Sequence, residues 1–270
     1  TFGDFSEYAY LYPHLDDILF NSQINDIQEF KEHKYIVDME KMETIEIEAE
    51  KLCNKEFELS PHQKFIRNFI SSYTPYNGIL LYHGLGTGKT CSAIGIAEET
   101  REYLKLNNIN NRIIIVASPN VQTNFRTQLF DIDNLKENNG YFSLDKCYGN
   151  ELLHEINPLN KIKDKEQIIS KAKRLIDKYY TFFGYSKLAN YIQKLSDEKL
   201  KSIFEDRLII IDEVHNIRVS DDNKHKIISD SLKRLVETSK NLRLLLLSAT
   251  PMYNNYKEII ILLNLININD

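Results

Sequence analysis

Gly78-Ile79-Leu80-Leu81-Tyr82-His83-Gly84-Leu85-Gly86-Thr87-Gly88-Lys89-Thr90 is the stretch on which the reading of this chain turns. A short apolar run, Ile79 to Tyr82, enters a glycine-rich turn, and a helical pattern from Thr90 to Leu106 leaves it. Small residues there let backbone N–H groups approach phosphate oxygens, and the following helix N-terminus adds a favourable dipole. Gly84, Gly86, Thr87 and Gly88 would form the cradle, Lys89 would place its charge on the β- and γ-phosphates, and the Thr90 hydroxyl would ligate Mg²⁺. The bland alternative is a glycine turn with a stray lysine; strand, turn, Gly-Lys-Thr and helix in register argue against it. The strict phosphate-loop pattern has glycine where His83 stands, so the first position is relaxed.

Working outward, further continuous apolar runs appear at Ile113 to Ala117, Leu208 to Ile211 and Leu244 to Leu247. Unbroken apolar runs, unlike alternating ones, are how strands buried on both faces read. Helical patterns at Val121 to Phe130, Ile227 to Thr238 and Lys257 to Leu265 separate or follow them. This order predicts an α/β fold: a parallel sheet with helices on both faces. A helix opens at Ser60-Pro61-His62-Gln63, where serine caps and proline suits the first turn, and Thr74 to Gly78 closes the segment with turn residues. Residues 1–58 read as an acidic, mainly helical accessory extension, with Glu43 to Glu50 ambiguous between strand and helix. Residues 59–270 form the main domain. Residues 133–178, charged and rich in Asn and Lys, read as an inserted, solvated surface elaboration with a helix from Lys165 to Tyr179.

Composition narrows the class. The 270 residues are 42% hydrophobic and 27% charged, with six prolines and nine glycines. This balance excludes low-complexity disorder and collagen. The net charge of −5 offers no basic tail for nucleic acid, so such contacts would be local. Three cysteines, Cys53, Cys91 and Cys147, without a CxxC pair, argue against structural zinc or a disulfide framework and for reduced thiols. No apolar run reaches the roughly 18 residues of a membrane span. The chain opens without Met or a basic leader, which reads as a processed piece and not a secretory precursor. It is therefore expected inside the cell and off the membrane.

Two more strand ends carry chemistry. Leu208-Ile209-Ile210-Ile211 ends in Asp212-Glu213-Val214-His215, and acids at the carboxyl edge of a parallel sheet face the ligand crevice. Asp212 there would hold Mg²⁺ opposite Thr90, Glu213 would polarise the attacking water, and His215 would sense the γ-phosphate or couple it onward. Leu244-Leu245-Leu246-Leu247 ends in Ser248-Ala249-Thr250-Pro251. Alone this is a helix cap; one βα unit after the acidic strand it becomes the third of a series.

Together, HGLGTGKT, DEVH and SATP in this order resemble motifs I, II and III of superfamily 2 helicases, over the span from Leu59 to Asp270. The resemblance implies a RecA-like phosphate-loop NTPase fold, ATP with Mg²⁺, and ATP hydrolysis. It makes Gln63 the residue that reads adenine, and Ser248 and Thr250 the coupling pair. Ser118, Pro119 and Asn120, after the Ile113 strand, resemble motif Ia, and Gly184 with Tyr185 resembles the next nucleic-acid element. The strings SPHQKFIRNFIS, TPYNGILLYHGLGTGKTCSAI, FFGYSKLAN and DEVHNIR are similar to helicase-like ATPases of nucleocytoplasmic large DNA viruses. That group includes the small subunit of the poxvirus early transcription factor and a nucleoside triphosphate phosphohydrolase. The Asn and Ile bias suits an AT-rich giant virus such as mimivirus, hence the virus factory or virion.

Superfamily 2 enzymes have a second RecA-like lobe, and its motifs, with their arginine finger, are absent from this sequence. The expectation is therefore a lobe that binds Mg-ATP and hydrolyses it very slowly alone, from an enzyme that unwinds or translocates on nucleic acid, DNA before RNA, with transcription machinery as a further partner. The alternative is a nucleotide-dependent switch or scaffold working through protein partners with little turnover.

Overall fold

A computed structural model describes residues 11–34, 59–84, 88–138, 140–144, 147–217, 223–252 and 256–269. The expected strand-or-helix segment Glu43 to Glu50, and Leu85, Gly86 and Thr87 of the glycine turn, lie outside the described residues.

Five parallel strands form the sheet: β1 (Gly78–Tyr82), β2 (Ile113–Val116), β5 (Tyr180–Phe183), β6 (Leu208–Ile211) and β7 (Arg243–Ser248), in the order β1-β7-β6-β2-β5. Four of these are the apolar runs read from sequence, within a residue or two at each end. Side chains alternate across the pleat. Ile113, Ile115, Leu208, Ile210, Leu245 and Leu247 face one core. Ile114, Val116, Ile209, Ile211, Leu244 and Leu246 face the other. Both faces are dry, which is why the strands carry no polar alternation.

On the first face lie α3 (Pro61–Phe69), α4 (Lys89–Leu106), α5 (Pro119–Leu129), α6 (Gly149–Ile156) and α7 (Lys165–Tyr179). The second is covered by α8 (Tyr185–Gln193), α9 (Asp197–Phe204), α10 (Asn223–Thr238) and α11 (Lys257–Asn269). Two short helices, α1 (Phe20–Asp26) and α2 (Gln28–Lys31), precede them and pack against α3. There Phe69 stacks on Tyr76 with ring centroids 4.4 Å apart, and Ile24 and Phe30 are buried beside them.

The segment expected to be a solvated elaboration has an outer face rich in exposed charges and also an inward face. Leu135, Phe142, Leu144, Tyr148, Leu152, Leu153, Ile168, Ala172 and Ile176 are buried in the first core. Within it, β3 (Lys136–Asn138) and β4 (Tyr141–Ser143) make a small antiparallel hairpin ahead of α6. Its charges hid the pattern: apolar residues are sparse along the segment, and most of them face inward while Tyr141 and Leu159 stay exposed. Helix α7 matches its expected bounds, with the Asp164 side chain accepting the Glu166 N–H at its start.

A buried cation anchors the entry to β1. Arg243, only 1% exposed, donates to the carbonyls of Ile70, Thr74 and Tyr76, at 3.0 to 3.2 Å. It thereby satisfies the carbonyls that the end of α3 and its closing turn leave unpaired.

Candidate active site

The three strand ends singled out in the sequence meet at the carboxyl edge of β1, β7 and β6. In-register pairing sets Tyr82 beside Ser248 and Ile211 beside Leu246, so the residues that follow emerge together. Lys89 Nζ lies 3.4 Å from Glu213 Oε1. The other carboxylate oxygen of Glu213 lies 3.1 Å from His215 Nδ1, which is 3.2 Å from the Ser248 hydroxyl. Ser248 Oγ in turn accepts the Thr250 N–H at 3.1 Å. One line of contacts thus runs from the lysine of the first motif to the backbone of the third.

Glu213 is placed by strain. Its φ of 48° and ψ of 50° put a non-glycine residue in the left-handed region, at the start of a short 3-10 turn, Val214–Asn216. This region is costly for a residue with a Cβ, and here it turns the carboxylate from the strand end toward Lys89. Asp212, 4% exposed, accepts the Glu213 N–H at 2.8 Å. Burial raises its carboxyl above the usual range, and the neighbouring Glu213 charge adds to this; the Glu213 N–H and Lys89 pull the other way.

The glycine turn closes on the helix before β1. Gly88 has φ +78°, and a Cβ there would meet Gln63 Nε2 at 2.6 Å, so only glycine fits. Gln63 is itself buried. Its Oε1 accepts the Ser60 N–H at 2.9 Å and its Nε2 donates to the Gly88 carbonyl at 3.2 Å. The side chain assigned to adenine therefore also joins α3 to the start of α4, a role of which the capping serine is the one sign in the sequence. The relaxed first position also finds a physical basis. The His83 ring packs edge-on against His62 at 5.5 Å between centroids, and its backbone N–H donates to the Ser248 carbonyl. Burial, then His62 and Lys89, lower the His83 pKa, which favours the neutral ring.

Thr90 stands in the first turn of α4. Its hydroxyl and the Asp212 carboxylate are oxygen donors, the set that Mg²⁺ prefers, so the residues fit that ion.

On the far side of β6, β2 and β5 lie side by side, and Ala117 donates to the Phe183 carbonyl. Ser118 and Gly184 therefore leave the sheet as neighbours and start α5 and α8. Pro119 and Asn120 are exposed there. The Tyr185 hydroxyl donates to the Asp212 carbonyl, so it braces the acidic strand end, and the residue is partly exposed. Sequence had no way to pair residues so far apart.

Residues 56–253 match the family described as Type III restriction enzyme, res subunit. The chain belongs to that family. A protein of Invertebrate iridescent virus 3 named as a helicase, 087L, is 30% identical over 216 residues, covering 77% of this chain and 20% of the relative. A protein of Acanthamoeba polyphaga mimivirus, R563, named as an ATP-dependent RNA helicase, is 31% identical over 211 residues, covering 78% of this chain and 33% of the relative. The helicase-named 009L of Frog virus 3 is 28% identical over 205 residues, covering 76% and 20% respectively. The chain thus spans a fifth to a third of the length of these relatives. Their sources agree with the large-DNA-virus resemblance carried by the motifs. All of the site elements described above, from α3 to Thr250, fall inside the matched residues.

Proposed function

We propose that this chain is the ATP-binding lobe of a nucleic-acid-dependent ATPase, a viral helicase or translocase. The observation that carries the reading is the unbroken line of contacts Lys89–Glu213–His215–Ser248–Thr250. It couples the place where a nucleotide phosphate would bind to the third motif. The helicase names of the relatives support the polymer as the second ligand.

In this reading Lys89 leaves Glu213 and binds the β- and γ-phosphates, while backbone N–H groups at the start of α4 take up further phosphate oxygens. Thr90 and Asp212 hold Mg²⁺, which neutralises developing charge on the phosphates when bound. Glu213, released from the lysine, orients the attacking water and accepts its proton. His215 carries the change in Glu213 to Ser248 and Thr250. Gln63 reads adenine from α3, and Ser118, Pro119, Asn120 and Gly184 touch the polymer backbone. The lobe alone turns over slowly, and fast hydrolysis needs the rest of the longer protein.

ATP turnover by the full-length protein, alone and with single-stranded DNA, duplex DNA or RNA, tests the proposal. DNA is the polymer we expect to stimulate most, and RNA is included because relatives are named RNA helicases. Marked stimulation by either polymer supports the reading. Flat, slow turnover with every polymer contradicts it and favours a nucleotide switch acting through protein partners.

A further inference from the structure

Cys91 lies next to Thr90, in the first turn of α4. Facing it is Cys147, two residues before α6 begins. Their Cα atoms are 5.6 Å apart and their sulfurs are in contact, where the sequence reading expected reduced thiols. The Cα separation is the one a disulfide requires. Other contacts join the same two segments. A Cβ at Gly95 would stand 3.0 Å from the Tyr148 hydroxyl. Further along, Glu155 pairs with Arg101 at 2.8 Å and with Lys105 at 2.7 Å. Cys147 is 7% exposed, with Gln128 Oε1 3.3 Å from its sulfur. Cys91 is partly exposed, so a reagent reaches the pair from the Cys91 side.

We propose that Cys91 and Cys147 form a reversible thiol–disulfide site that regulates nucleotide binding; the proposal rests on the phosphate-loop reading above. The bridge ties the turn bearing Lys89 and Thr90 to the buried segment that enters α6. The arrangement it holds is the one in which Lys89 pairs with Glu213 at 3.4 Å, a contact that phosphate must displace. Closing the bridge therefore favours the nucleotide-free arrangement, and nucleotide binding favours opening it, since such coupling is reciprocal.

The chemistry balances with a low-molecular-weight disulfide as oxidant. The Cys91 thiolate attacks one sulfur of the reagent, forming a mixed disulfide and expelling one thiolate, which takes up a proton. The Cys147 thiolate then attacks the Cys91 sulfur, and the second half of the reagent leaves as a thiol. Both cysteines are oxidised by one electron each, and the reagent is reduced to two thiols. The reverse exchange reopens the bridge.

The full chain is equilibrated in buffers of rising oxidised-to-reduced glutathione ratio, then unfolded and its thiols counted. Only Cys53 should remain free at the oxidising end, all three cysteines should be free at the reducing end, and peptide mass mapping should place the link between Cys91 and Cys147. The Mg-ATP affinity of the oxidised chain should be weaker than that of the reduced chain by at least about fivefold. In Cys147→Ser the difference should vanish, with Cys91→Ser as a second control should that variant fold poorly. Three free thiols throughout, a link through Cys53, or equal affinities of the two forms would each overturn the proposal. If neither form binds Mg-ATP, the phosphate-loop reading fails and the regulation with it, while the thiol count reports separately whether the bridge forms.

Discussion

Lys89 Nζ and Glu213 Oε1 stand 3.4 Å apart, although 124 positions separate them in the chain. The cation assigned to phosphate is thus neutralised by the carboxylate assigned to water. This arrangement keeps both partly buried charges matched until a nucleotide arrives. Because phosphate takes over the lysine, Glu213→Gln should leave Mg-ATP affinity intact while lowering polymer-stimulated turnover of the full-length enzyme by about 10²- to 10⁴-fold. Isothermal titration beside a phosphate-release assay checks both halves, and turnover that survives would remove Glu213 from the role of base.

His215 bridges Glu213 and Ser248, away from the residues assigned to phosphate and Mg²⁺. His215→Ala should therefore keep Mg-ATP binding and lose about tenfold or more of the stimulation by polymer. Turnover with saturating nucleic acid, divided by turnover without it, is the quantity to compare. An unchanged ratio would show that the line of contacts does not carry coupling.

Glu99 supplies a pH signature away from the site. Burial raises its pKa to about 7, Glu102 and Glu29 add to the rise, and Arg67 and Arg243 oppose it. A carboxyl raised in the folded state favours folding while it is protonated. Its contribution is full below the ordinary pKa near 4.5 and is lost as pH rises toward 7. Glu99→Gln should match the wild type near pH 5 and be more stable near pH 8 by about 1 to 2 kcal/mol, discounted for its partial exposure. Urea denaturation at the two pH values measures this, and an equal effect at both would contradict it.

Arg243 makes a sharper stability prediction. Arg243→Met would leave the carbonyls of Ile70, Thr74 and Tyr76 buried without their donor. The expected loss is about 3 kcal/mol or more in urea denaturation, and a loss near zero would mean the turn repairs itself.

Most of the fold could be read because each central strand is an unbroken apolar run that both cores require. Leu208 to Ile211 and Leu244 to Leu247 have no other stable setting in a chain of this composition. Edge strand β5 carries no such run: Thr181, Phe182 and Phe183 are only half-buried, so the apolar pattern does not mark it as a strand. The inward face of the 133–178 segment is not legible, because its buried residues come singly or in pairs among many charged and polar ones. At the site, the sequence singles out three strand ends, and the structure brings them to one edge of the sheet. The linkages were not legible: Gln63 to Gly88, Tyr185 to Asp212 and Cys91 to Cys147 depend on helices meeting across the sheet, which spacing does not encode.

The central claim is that the turn ending in Gly88-Lys89-Thr90 binds nucleotide phosphate. Mg-ATP titration of the reduced chain against Lys89→Ala tests it most directly. A charge-assisted phosphate contact is worth roughly 1.5 to 3 kcal/mol, so affinity should fall by about 10- to 100-fold. Equal affinity in the two proteins, with both folded, would contradict the account.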